Sequence, residues 1–66
     1  MKITLNGKSR ELQSTLPLTE LIQQINANNQ RVIAEVNGEI VKKDHWANIT
    51  INDGDEIELV TFVGGG

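Results

Sequence analysis

The sequence predicts an α+β fold: a mixed sheet of four to five strands, one main helix packed on one face, and a flexible glycine tail. Three observations carry this expectation. Tight-turn signals at Asn6-Gly7, Asn37-Gly38 and Asn52-Asp53-Gly54-Asp55 separate runs of strand-like alternation. Between the first two, Leu18, Leu21, Ile22 and Ile25 recur at the spacing of one helix face. Sixty-six residues, 38% of them hydrophobic, have material for one small core. A chain of that size buries only about 60% of its unfolded surface, so residues 1–66 are expected to form one domain with an economical interior.

The elements follow in order. Ile3 and Leu5 alternate with Lys2 and Thr4, Asn6-Gly7 turns the chain, and Ser9 to Leu12 returns as a second strand. The helix opens near Pro17, which is pre-organised for a first turn, although Thr19 competes as its cap. Glu20 suits the positive end of the helix dipole, and Asn28 and Asn29 suit the stop. "RVIAEV" then reads as a strand, Asn37-Gly38 as a turn, and "EIV" as a short partner. In "KKDHWANI", Asp44 is placed as the cap of a single turn that carries Trp46 inward. "EIELVTF" alternates into the final strand, and residues 62–66 are assigned to the tail.

With only Trp46 and Phe62 as aromatics, the core must be built from Ile, Leu and Val. The formal net charge is −3, and no run of Lys or Arg could neutralise successive phosphates, so nucleic acid is not an expected partner. The absence of cysteine rules out disulfides and thiolate ligands, which suits a reducing compartment. "MKITLNGKSR" lacks a signal-peptide apolar core, and no stretch approaches the roughly 20 apolar residues of a membrane span. The expectation is a cytoplasmic protein with no membrane association.

Hairpin, helix, hairpin and strand, joined by Asn-Gly turns and closed by "DGDEIEL" and a Gly-Gly ending, resemble the ubiquitin-like β-grasp family. Within it, "DGDEIELVTFVGGG" after Trp46 is most similar to the ThiS-type sulfur carriers of thiamine biosynthesis. The resemblance spans the whole chain, but it is narrow only in that last stretch. One departure is Pro17, where a Thr or Ser cap is usual; it touches helix entry and not chemistry.

The residues accommodate a carrier better than an enzyme. A catalyst needs a general acid or base, a nucleophile or a metal. His45 is the only histidine and has no cysteine to activate, so it reads as a surface or capping residue. Asp53 and Asp55 lack the rest of a calcium loop, and turn chemistry accounts for both. Lys42-Lys43 reads as a solvated turn. No catalytic residue and no metal ligand is therefore assigned, and no bound cofactor is expected.

The reactive group that remains is the C-terminal carboxylate of Gly66. The resemblance implies that a ThiF-type adenylating enzyme, related to ubiquitin-activating enzymes, uses ATP to adenylate it. A persulfide from a sulfur-donor protein then attacks, leaving a thiocarboxylate that supplies a ThiG-type thiazole synthase. Gly64 and Gly65 form the tail, where the lack of a Cβ permits close approach to a ligand; a frayed terminus or a cloning scar is the alternative reading of these glycines. If Ile57 and Leu59 point inward, alternation sends Glu58, Val60 and Phe62 to the outer face. With Val63, these are the expected partner-binding residues, edge-of-core packing being the alternative for the apolar ones. Asp53, Asp55, Glu56 and Glu58 could steer a basic partner or simply face solvent. Two other functions share the pattern: the small subunit of molybdopterin synthase and a ubiquitin-like protein modifier.

Overall fold

The structure, a computed structural model, describes residues 1–25 and 31–62. Strands β1 (Lys2–Leu5) and β2 (Lys8–Glu11) form the first hairpin. Asn6 and Gly7 sit at φ 50° and 81°, the doubly left-handed backbone that matches a two-residue turn to the twist of its strands. The return strand begins one residue earlier than its sequence pattern indicates and stops at Glu11. Leu12 nevertheless stays zipped to the first residue: its N–H donates to the Met1 carbonyl at 2.8 Å, and the Met1 amino group donates back to the Leu12 carbonyl at 3.0 Å.

Two elements escape the sequence pattern: β3 (Leu16–Pro17) and β6 (Thr50–Ile51), which pair antiparallel as a separate two-stranded ladder. Strands of two residues are too short for alternation to reveal. The ladder ties the helix entry to the segment before the last turn, and the Thr15 hydroxyl reinforces it by donating to the Ile51 carbonyl at 2.6 Å. Pro17 therefore belongs to β3, and helix α1 (Leu18–Ile25) starts one residue later. Thr19 lies inside the helix and not at its cap. Glu20 occupies the first turn as expected, and Leu18, Leu21 and Ile22 are buried. Asn28 and Asn29 lie outside the described residues.

Strands β4 (Arg31–Val36) and β5 (Glu39–Val41) make the second hairpin, with Asn37 and Gly38 at φ 52° and 85°. A 3-10 helix over Lys43–Asn48 follows, with Lys42 at its cap position and no side-chain capping bond. Asp44 thus sits in the first turn and does not cap it, contrary to the sequence expectation. Trp46 does turn inward, and its indole Nε1 donates to the Val41 carbonyl at 2.8 Å, so its polar atom is satisfied where the ring is buried.

Strand β7 (Glu56–Phe62) completes a five-stranded sheet of order β2-β1-β7-β4-β5. Its pairing with β1 is parallel and every other pairing is antiparallel, so the sheet is mixed, as predicted. On the inner face Ile3, Ala34, Ile57 and Leu59 meet Leu18 and Leu21 of the helix in one buried cluster. Burying a Leu or Ile side chain contributes about 1.5–3 kcal/mol, so this cluster is the main source of stability in the described fold.

Candidate docking face on the central strands

Strand β7 lies between β1 and β4 and carries three of the expected partner-binding residues, Glu58, Val60 and Phe62. Its partner on one side, β4, pairs with it along its full length, from Arg31 opposite Phe62 to Val36 opposite Ile57. On the other side, pairing with β1 ends at Leu5 opposite Ile57. Just beyond, Asn6 replaces the missing strand. Its Oδ1 accepts from the Leu59 N–H at 2.8 Å and its Nδ2 donates to the Leu59 carbonyl at 3.3 Å. One side chain thereby satisfies both backbone groups of a core residue. The second hairpin's turn does a related task, with Asn37 Oδ1 accepting from the Glu56 N–H at 2.9 Å.

The approach to β7 is locked by turn carboxylates. Asp55 accepts from the Asn52 N–H at 2.8 Å and from Asn37 Nδ2 at 3.1 Å. Asp53 accepts from the Lys2 N–H at 2.7 Å. Both acidic residues are thus engaged in turn and strand-end bonding. Among the described residues no group of three or more His, Cys, Asp or Glu side chains is placed to hold a metal. His45, Lys42 and Lys43 are exposed around the 3-10 helix.

With β7 held in this register, Ile57 and Leu59 enter the core while Glu58, Val60 and Phe62 face outward, as alternation predicts. Val60 is 52% and Phe62 46% exposed. Phe62, assigned to the tail on sequence grounds, is the last residue of the strand and pairs with Arg31. Val63, Gly64, Gly65 and Gly66 lie outside the described residues.

Sequence reasoning missed two members of this face. Ile33 is 42% exposed and sits directly opposite Val60; Ile40 is 68% exposed on β5, opposite Glu35. In "RVIAEV" apolar residues crowd successive positions, so alternation alone does not say which face Ile33 takes. The signal that could have found both is the Asn37-Gly38 turn. A two-residue hairpin pairs Val36 with Glu39 and therefore Glu35 with Ile40, putting Ile33, Glu35 and Ile40 on one face. The outcome is an apolar patch of Ile33, Ile40, Val60 and Phe62, bordered by Glu35, Glu56 and Glu58.

Comparison with known proteins places this architecture. The family model described as the ThiS family matches residues 3–66. The chain belongs to the ThiS family. This ThiS-family chain is 37% identical over 65 residues to the sulfur carrier protein ThiS of Bacillus subtilis, an alignment covering 97% of this chain and 98% of that protein. Its fold superposes on the crystal structure of the thiamine biosynthesis protein (ThiS) from Geobacter metallireducens with a TM-score of 0.84 and 35% identity, each chain being covered fully. The fold is accordingly the β-grasp that the sequence resemblance implied. A thiazole synthase of Paramagnetospirillum magneticum is 36% identical over 66 residues, all of this chain but only 20% of that enzyme. This ThiS-family chain therefore spans about one fifth of the thiazole synthase it matches.

Proposed function

We propose that this chain is a sulfur carrier of thiamine biosynthesis that works in the cytoplasm as a single domain, with Gly66 as the carrying residue. The observation behind the reading is the family match over residues 3–66, joined by a near-complete alignment with a sulfur carrier. In the proposed cycle the Gly66 carboxylate attacks the α-phosphorus of ATP in a ThiF-type adenylating enzyme, and pyrophosphate leaves. The acyl carbon now bears AMP, a good leaving group. The terminal sulfur of a persulfide donor displaces it, and a second thiol cleaves the resulting S–S bond, becoming oxidised and leaving sulfur on the chain as a thiocarboxylate.

The chain brings no thiol of its own, and it supplies no general acid or base to any of these steps. Its role is to deliver a terminus that has no Cβ to collide with the walls of a narrow active site. Gly64 and Gly65 extend that clearance, and the outer face of β7, with Val63, docks the partners. The thiocarboxylate sulfur is then consumed by a ThiG-type thiazole synthase.

Intact-mass measurement after incubation with ATP, the adenylating enzyme and a sulfur donor tests the reading. Replacement of one oxygen by sulfur is expected, and deletion of Gly66 or extension beyond it should abolish that change while leaving the thermal transition in place. Amide adducts with lysines would instead identify a protein modifier.

A further inference from the structure

The register of the sheet places two carboxylates against each other at the centre of the outer face. Glu35 of β4 stands directly opposite Glu58 of β7. Like charges in that position destabilise a sheet, whereas opposite charges stabilise it. Among the described residues the register brings one cation diagonal to Glu35, Lys42 just past the end of β5, and none to Glu58. The positions two residues along are Glu56 and Val60 on β7 and Ile33 on β4, and the position across β4 from Glu35 is Ile40. On the far side of β7 the strand β1 has ended, and Asn6 is engaged with the Leu59 backbone. The fold thus keeps an unfavourable pair of acids on its two central strands, next to four exposed apolar side chains.

We propose that Glu35 and Glu58 together form a receptor for a guanidinium of the partner, the apolar patch of Ile33, Ile40, Val60 and Phe62 seating an apolar side chain beside it. A planar guanidinium has donors enough to bridge two carboxylates, and it carries its charge into a half-dry interface more readily than an ammonium. Charge complementarity fixes the kind of partner: a protein surface with an arginine next to a hydrophobic residue. The occupant we assign is the thiazole synthase that consumes the sulfur, an assignment that rests on the proposed function. It is favoured because two thiazole synthases, from Paramagnetospirillum magneticum and Magnetococcus marinus, contain a segment similar to all of this chain within their own polypeptide. Binding would then relieve a repulsion present in the free chain, so the pair should influence stability and affinity in opposite directions.

The experiment titrates the full chain and its Glu35→Gln, Glu58→Gln and double variants against the thiazole synthase of the same organism by calorimetry, at low and high salt, with a thermal melt of each. The expected result is that each single change weakens Kd about fivefold and flattens its salt dependence, while Tm stays level or rises. A merely structural role would not yield weaker binding from a chain as stable or more stable. Unchanged Kd in the double variant would overturn the carboxylate receptor. Wild-type binding to the adenylating enzyme but not to the synthase would overturn the assigned occupant. The sulfur-for-oxygen mass change is read in parallel on wild type and does not depend on these carboxylates meeting the synthase. Its presence without synthase binding sinks this proposal alone, and its absence sinks the carrier reading beneath it.

Discussion

The two faces of the β4–β7 ribbon are built from interleaved residues of the same two strands, yet they answer to different demands. Inward, Ala34, Ile57 and Leu59 are buried against the helix. Outward, at the neighbouring positions, Ile33 and Val60 stay 42% and 52% exposed, and Glu35 opposes Glu58. The inner face is what a fold needs: apolar and packed, with no buried polar side chain among the described residues. The outer face is what a fold alone would avoid, since solvated apolar side chains and opposed like charges add nothing to stability. The difference teaches that residues one apart in sequence can serve the free chain and its complexes separately, because the pleat keeps their side chains on opposite sides of the sheet.

The harshest way to break this contrast is to damage the inner side. Leu21 is fully buried where the helix meets the sheet, and Leu21→Ala should cost about 2–5 kcal/mol through lost transfer energy and the cavity left behind. Small domains hold only about 5–15 kcal/mol in total, so a denaturant melt should show a much earlier midpoint, and binding should fail with folding. A shift within error would mean that the helix does not carry the core.

An intermediate test concerns the clamp between the faces. Asn6→Ala removes the side chain that satisfies both backbone groups of Leu59 and puts a Cβ with no compensating bond at φ 50°. Leaving such part-buried groups unpaired costs about 1–3 kcal/mol, which chemical denaturation would resolve. Asn6→Gly keeps the turn geometry and should lose the hydrogen bonds alone, so the two variants separate backbone strain from clamp. Equal stability of wild type and Asn6→Gly would reject the clamp.

How much of this was legible in the sequence follows from the range of each signal. The hairpins, the helix face and the last strand were legible because turn chemistry and periodicity are local, and the inward set Ile57 and Leu59 fell out of alternation. The β3–β6 ladder was not, because its two-residue strands pair across more than thirty residues of chain. Asp44 was misplaced as a cap because a capping residue type says nothing of whether the 3-10 turn begins before it or after it. At the outer face, Glu58, Val60 and Phe62 were readable from one strand. Ile33 and Ile40 become readable only when the Asn37-Gly38 turn is used to set the β4–β5 register, and the Glu35–Glu58 opposition exists only once the long-range register between β4 and β7 is known. Asn6 announced a turn; its bonds to Leu59 depend on where β1 runs out beside β7.

The smallest expected effect on stability is the sharpest on recognition. Phe62 ends β7 opposite Arg31 with 46% of its surface in solvent, so Phe62→Asp removes little buried area from the free chain. Changes at exposed positions away from caps and cores usually fall within about 0.5 kcal/mol, and a thermal melt should stay close to wild type. Binding should suffer far more. A carboxylate placed in the apolar patch must be desolvated against whatever apolar group the partner offers, and aromatic anchors at the centre of an interface commonly account for 2 kcal/mol or more, about a thirtyfold loss of affinity. Calorimetric titration against the adenylating enzyme and against the thiazole synthase reads the effect separately for each. Loss with both would place Phe62 in a surface the two partners share. Loss with one would divide the outer face between them. A variant that unfolds early would instead return Phe62 to the core side of the comparison, and the functional separation of the two faces would then stop at Val60.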